Sequence, residues 1–364
     1  MVFDYPQENL IMKRRELLTA AGGVAGVGAL GIHRLQAEEP TAAEAVEVVA
    51  GMPRRVLGRT GEKVSIVGFP GLALIHQGQE ECTAAIHQAF EQGVNFFDVA
   101  PAYGRGDCET KMGEGLQGID RDQYFLACKT QARDGDEAQR ELDLSLERLQ
   151  TDYFDLYQMH VLRQPDEVRQ ALGPGGALET MVRAREEGKV RFLGFSAHTT
   201  RSALDAMEGF RFDTVMFPLN FIEYFTLGFG KPVLDLAVEQ GAAVLAIKPM
   251  CGGTWPEGAE RTRQWWYRPL EDQGEIDMAM RFTLSLPGVV AGFPPAFLDL
   301  TEKAVAAGKG YRPITAEEND ELRRMAESLG SVFRAEEQKV SGRIPREAVL
   351  YADSPYEGCP GRHA

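Results

Sequence analysis

Apolar residues along this chain fall into two alternating patterns. Short runs that are mostly apolar, at Ile66–Phe69, Val94–Phe97, Tyr124–Cys128, Tyr153–Gln158, Val190–Phe195, Thr214–Phe217, Ala243–Ile247 and Val289–Ala291, have the length of strands covered on both faces. Between them lie stretches with helical spacing. They begin at Glu80, Leu178 and Val233 and end at Gly93, Gly188 and Gly241, and further ones cover Glu109–Leu116, Glu137–Leu149, Arg201–Glu208, Glu275–Leu286 and Leu298–Ala307. A glycine just past the last turn is a helix-stop signal, because it takes the left-handed conformation without a Cβ clash. Strand and helix therefore alternate eight times over about 240 residues, which predicts an α/β fold of the (β/α)8 TIM-barrel type. An open doubly wound sheet fits less well, since no Gly-x-Gly-x-x-Gly turn follows the first strand.

The flanks read differently. Arg55–Val67 has the pattern of a β-hairpin turning at Arg59-Thr60-Gly61-Glu62, and Thr315-Ala-Glu-Glu318 opens a capping-box helix that Gly330 ends. This divides the chain into an export signal region (1–37), a linker (38–53), the barrel (54–310) and a C-terminal helix with its extension (311–364). In the first region Lys13-Arg14-Arg15 precedes an apolar, Gly-rich run from Leu17 to Ile32. That run is shorter than the ~20 residues of a comfortable membrane span. The paired arginines have the form of a twin-arginine export signal, which predicts a periplasmic or otherwise extracytoplasmic protein, with the export machinery as a partner and an uncleaved signal anchor as the alternative.

The 364 residues are 44% apolar, ample for a core, and carry a net charge of -15. Nucleic acid is excluded as a partner, because it demands clustered Lys and Arg to neutralise phosphates. Five cysteines form an odd set without metal-site spacing, and the lone Cys359 of the tail cannot hold an iron–sulfur cluster, so neither metal nor cluster is expected.

Three successive strands end in reactive groups. Val94–Phe97 runs into Asp98, with Tyr103 in the loop beyond; Tyr124–Cys128 ends at Lys129; Tyr153–Met159 ends at His160. In a barrel every strand's carboxyl end opens on one face, so the four side chains share a pocket. Their chemistry is complementary. A phenol, with an ordinary pKa of about 10, is a poor acid at neutral pH unless a nearby cation stabilises its anion. Lys129 supplies that cation, Asp98 holds it, and His160 orients a carbonyl oxygen against Tyr103. The set suits protonation of an oxygen as hydride reaches the attached carbon, and hydride requires a cofactor because no side chain provides it.

With these residues the chain resembles the aldo-keto reductases. The matching segments are Asn95-Phe-Phe-Asp98 through Ala102-Tyr103-Gly104, Lys129, Asp152-Tyr-Phe-Asp-Leu-Tyr-Gln-Met-His160, Gly188-Lys-Val-Arg-Phe-Leu-Gly-Phe-Ser196 and Lys248-Pro-Met-Cys-Gly-Gly253, within Arg54–Gly308. The resemblance implies an oxidoreductase interconverting small carbonyls and alcohols with NADP(H), or secondarily NAD(H), with Tyr103 as the acid. It also implies cofactor contacts from Ser196, Asn220, Lys248, Pro249, Met250, Gly252, Gly253, Gly292 and Lys303. The chain departs from the family where Ala197 and His198 follow Ser196, where Met216 and Ile247 replace a glutamine and an aromatic ring, and in the loop after Gly292. Those departures support a second reading, a noncatalytic exported barrel that binds a ligand or protein partner and keeps the four residues as a structural network.

The segment Gly253–Arg268 contains Trp255, Trp265 and Trp266, all three tryptophans of the chain, plus Tyr267. Following the seventh strand, it belongs on the same face. It reads either as a lid that stacks on a flat or sugar-like substrate, or as a plug or a contact within a homo-oligomer.

Overall fold

The computed structural model describes residues 47–340, together with Ala45. The segment expected to be an export signal and the tail beyond Val340 lie outside the described residues.

Eight parallel strands make the barrel. They are β4 (Phe69–Pro70), β5 (Phe96–Asp98), β6 (Phe125–Thr130), β7 (Phe154–Leu162), β8 (Val190–Ala197), β9 (Thr214–Pro218), β10 (Ala243–Ile247) and β11 (Val289–Phe293), each hydrogen-bonded to the next in chain order. Closure comes just before β4, where Gly292 N donates to Ile66 O and Gly68 N donates to Gly292 O. The first strand was expected over Ile66–Phe69, but the ladder to its neighbour forms only at Phe69 and Pro70, since Ile66–Gly68 bends across to β11.

Side-chain alternation decides what faces the barrel axis. Phe96, Phe125, Ala127, Leu156, Met216, Leu245, Ala291 and Phe293 fill the interior, and Phe97, Leu126, Tyr157, Phe195 and Val244 pack outward against helices. Continuing the inward set by steps of two puts Asp98, Lys129, Gln158, His160 and Ser196 at the carboxyl-end mouth. The helices are α1 (Gln79–Glu91), α2 (Asp107–Gly115), α3 (Gly135–Leu149), α4 (Pro165–Leu172), α5 (Ala177–Glu186), α6 (Thr200–Gly209), α7 (Phe221–Leu227), α8 (Lys231–Gln240), α9 (Gln273–Leu284), α10 (Leu298–Lys309), α11 (Ala316–Glu327) and α12 (Arg334–Val340).

The hairpin forms between β2 (Met52–Val56) and β3 (Lys63–Ser65), and a third strand, β1 (Glu47–Val49), pairs with β2 inside the stretch read as linker. Ala50 and Gly51 make the turn, both at positive φ (48° and 84°), as a two-residue hairpin loop requires. The short helix α7 was also missed. Asn220 and Glu223 begin it, and Asn220 Oδ1 accepts from Glu223 N at 3.1 Å. Thr315 and Glu318 form the expected capping box at the start of α11.

Candidate active site

The strand ends bring the predicted tetrad together. Lys129, fully buried, donates from Nζ to Asp98 Oδ2 at 2.5 Å, to Val99 O at 3.0 Å and to Tyr103 Oη at 3.4 Å. The ring of His160 meets that of Tyr103 edge-on, with centroids 5.7 Å apart. Gln158, two residues before His160 and on the same face, donates to Asp98 Oδ1 at 3.4 Å. It was not anticipated, although the alternation that points His160 inward points Gln158 inward too.

Burial raises the Asp98 carboxyl above its usual value, and the Lys129 ammonium opposes that rise. His160 is held well below the ordinary imidazole range, first by burial and then by Lys129, Arg133, Arg163 and Lys248 around it. It is therefore a neutral hydrogen-bonding group at neutral pH.

A strained strand end aims His160. Val161 has φ of 56°, costly for a β-branched residue, and the β7–β8 register shifts between Met159 and Leu162. Two groups hold the distortion. Val161 N donates to Ser196 Oγ at 2.7 Å, and Arg133 Nη2 donates to His160 O at 2.9 Å and Val161 O at 3.0 Å. Ser196 thus lines the mouth while fixing its neighbour's backbone, and Arg133 is a second contributor the sequence did not reveal.

A cleft opens on the tetrad, lined also by Pro70, Leu72, Arg163, His198, Lys248, Trp265–Tyr267, Met216, Ile247 and Phe293–Ala296. Among the sequence-predicted cofactor contacts, Ser196 and Lys248 line it; Asn220, Pro249, Met250, Gly252, Gly253, Gly292 and Lys303 do not. Asn220 caps α7, Met250 is buried in the core, and Lys303 donates to Glu271 O. Gly252 N donates to Arg268 O at 2.7 Å, and Gly292 packs beside Met280 and Pro249. At Gly253 φ is +90° and a Cβ would meet Gly330 O at 2.8 Å, so this glycine brings the loop after β10 onto the C-terminal segment.

The aromatic loop is a packed wall. Trp265, Trp266 and Tyr267 are all buried, Trp265 packs edge-on to Phe297 at 5.4 Å, and Arg263 pairs with Glu271 and Asp299. Behind it, buried Glu223 accepts from Ser331 Oγ at 2.6 Å and Val332 N at 2.7 Å, which seats Phe333 against His198 with centroids 5.7 Å apart.

The sequence matches the Aldo/keto reductase family over residues 75–330. The chain belongs to the aldo/keto reductase family. This aldo/keto reductase is 34% identical to L-galactose dehydrogenase of Arabidopsis thaliana over 39% of the chain and 47% of that protein. It is 31% identical to Aldo-keto reductase YhdN of Bacillus subtilis over 53% of the chain and 61% of that protein. With 6-dehydroglucose reductase of Novosphingobium aromaticivorans the identity is 30%, over 55% of the chain and 69% of that protein. The chain thus covers less than two thirds of the first two of these relatives. Among solved structures, the holo form of aldo-keto reductase AKR11C1 from Bacillus halodurans superposes with a TM-score of 0.61 at 22% identity, over 77% of this chain and 98% of that one, so the fold is shared.

Proposed function

We propose that this protein is an NAD(P)(H)-dependent oxidoreductase that interconverts a small carbonyl compound and its alcohol, with Tyr103 as general acid and base. The observation that carries this reading is the buried Lys129 ammonium shared between Asp98 Oδ2 at 2.5 Å and Tyr103 Oη at 3.4 Å at the mouth of the barrel. Two of the relatives are named for sugar chemistry, which supports a sugar-like substrate.

The wall tests the fit of a nicotinamide ring. Met216, Ile247 and Phe293 give apolar lining to the cleft that Tyr103 also lines, and Ser196 adds a hydroxyl to it. These residues fit a flat heterocycle carrying an amide and would hold it against the tetrad. When bound, the nucleotide supplies or takes up the hydride. The chain's own groups handle the proton. Tyr103 gives its hydroxyl proton to the carbonyl oxygen, and the adjacent ammonium of Lys129 lowers the cost of the phenolate left behind. Asp98, backed by Gln158, keeps that ammonium in place. Neutral His160 donates to the same oxygen and aligns it, and the aromatic wall excludes water from one side of the cleft.

The N-terminal Arg14-Arg15 pair before an apolar run supports export by the twin-arginine route. Cell fractionation of the natural protein beside an Arg14→Lys/Arg15→Lys variant tests it, the variant being expected to stay in the cytoplasm. The enzymatic reading is tested by following NADPH absorbance with a panel of sugar aldehydes and ketones. Loss of NADPH that depends on both carbonyl and Tyr103 supports it. Binding of sugars without turnover of any of them would favour the noncatalytic barrel instead.

A further inference from the structure

Tyr103 is followed by three residues in the left-handed region. Gly104, Arg105 and Gly106 take φ of 60°, 57° and 94° in turn. Left-handed backbone is ordinarily visited by single residues, because each Cβ crowds the following carbonyl oxygen, and Arg105 carries a Cβ. A run of three therefore needs support from outside itself. This turn joins the phenol to the start of α2 at Asp107, so its shape sets where Tyr103 stands relative to Lys129.

The support comes from α3. Arg148, in its last turn, lies against Gly106, where a Cβ would fall 2.1 Å from Nη1. The same Nη1 donates to Glu109 Oε2 at 3.0 Å, and Glu109, in the first turn of α2, is fully buried. The two helices also touch at Gly113, where a Cβ would come within 2.6 Å of Arg148 O.

Glu109 reaches the other side of the site as well. Its Oε1 accepts from Cys128 Sγ at 3.4 Å. Burial raises the Cys128 thiol well above its ordinary value, so it stays a donor. Cys128 and Lys129 are successive residues of β6 and point to opposite faces, the thiol outward to α2 and the ammonium into the mouth of the barrel. From Lys129, contacts through Cys128, Glu109 and Arg148 thus return to the turn that carries Tyr103. The 3.4 Å between Lys129 Nζ and Tyr103 Oη closes this circuit.

We propose that Glu109 and Arg148 are positioning residues that fix the separation of the Tyr103 phenol from the Lys129 ammonium. Neither lines the cleft, so both act through the two residues they brace. The role rests on Tyr103 being the proton donor of the carbonyl–alcohol reading. With the tie in place the ammonium stands where it stabilises the phenolate. With the tie cut, the turn relaxes toward the backbone that Arg105 prefers, and the phenol moves away from the charge.

The test compares the full-length natural protein with Arg148→Met, Arg148→Lys and Glu109→Gln/Arg148→Met, the double variant leaving no lone charge buried. NADPH turnover of a panel of sugar aldehydes gives kcat and KM, and circular dichroism gives the folded fraction. Fluorine NMR of protein labelled with fluorotyrosine follows the Tyr103 phenol as pH rises, its signal assigned by Tyr103→Phe. In folded Arg148→Met and in the double variant, kcat is expected to fall by about tenfold to 10²-fold with KM unchanged, the scale of a misplacement of about 1 Å. The Tyr103 titration moves up by about one pH unit, part of what a nearby cation supplies, and Arg148→Lys recovers part of both effects. A role in the fold alone would lower the unfolding midpoint and leave kcat and the Tyr103 titration of the folded protein as they were. That outcome in Arg148→Met or in the double variant overturns the proposal; if neither folds, the same outcome in Arg148→Lys overturns it. If the natural protein turns over no aldehyde but the Tyr103 titration rises in the variants, the positioning stands and the oxidoreductase reading fails.

Discussion

Lys129 Nζ lies 3.4 Å from the hydroxyl oxygen of Tyr103, and both side chains are buried at the mouth of the barrel. The cation is thereby fixed beside the proton that the proposed reaction moves. Tyr103→Phe keeps the ring and its contact with His160 but removes that proton. The expected outcome is a fall in kcat of about 10²–10⁴-fold with the unfolding midpoint nearly unchanged, measured by nucleotide absorbance and circular dichroism. Loss of folding with loss of activity would make Tyr103 a structural residue.

Asp98 and Lys129 form a pair in which neither partner is tolerable alone. Lys129→Met leaves a buried carboxylate without its cation, and should cost about 3–5 kcal/mol in denaturant unfolding. The double variant Asp98→Asn/Lys129→Met should recover part of that loss in stability and none of the activity. A single variant as stable as the natural protein would contradict the burial and charge pairing seen here.

His160 and His198 are both held well below the ordinary imidazole range, by burial first and by nearby cations second. A group whose folded pKa is depressed takes up protons on unfolding. Its contribution is complete above the unfolded value of about 6.5 and is lost as pH falls below it, with a slope of up to about 1.4 kcal/mol per pH unit for each histidine. Urea unfolding between pH 8 and pH 5 should show stability falling below about pH 6.5, and less steeply in His198→Phe. A flat profile would mean that these imidazoles titrate normally in the folded protein.

The aromatic wall yields a different expectation from that of a loose lid. Trp265 packs edge-on to Tyr267 and Phe297, and its backbone carbonyl accepts from Trp255 Nε1 at 2.7 Å. Trp265→Ala should therefore reduce stability by about 3–5 kcal/mol as well as activity, measured by denaturant unfolding. A variant of unchanged stability and reduced turnover would instead support a lid that moves.

The architecture was legible because it rests on local signals. Mostly apolar runs, several of them following a helix-ending glycine and repeated at barrel spacing, marked the strands, and residues placed just after those runs marked Asp98, Lys129 and His160. What was not legible depends on contacts between distant segments. Arg133, from the loop after β6, and Ser196, from β8, stabilise the twisted backbone at Val161, and nothing in their neighbourhood along the chain announces it. Asn220 matched a family contact in sequence, but its local duty as the cap of α7 takes its side-chain oxygen. Lys303 is a basic residue in the right region whose ammonium is used by Glu271 O. The strand β1 was missed because Glu47-Val-Val49 is too short to signal by itself; pairing with β2 across the Ala50-Gly51 turn defines it.

The central claim is that the tetrad protonates an oxygen while hydride arrives from a nicotinamide nucleotide at the same carbon. The direct measurement is a single-turnover reaction of the purified protein with NADPH deuterated on the transferring face and a sugar aldehyde, analysed by mass spectrometry of the product. The account predicts one deuterium per alcohol formed, with transfer slowed at least about 10²-fold in Tyr103→Phe. Failure of the protein to bind nucleotide, or an alcohol product without deuterium, would contradict it.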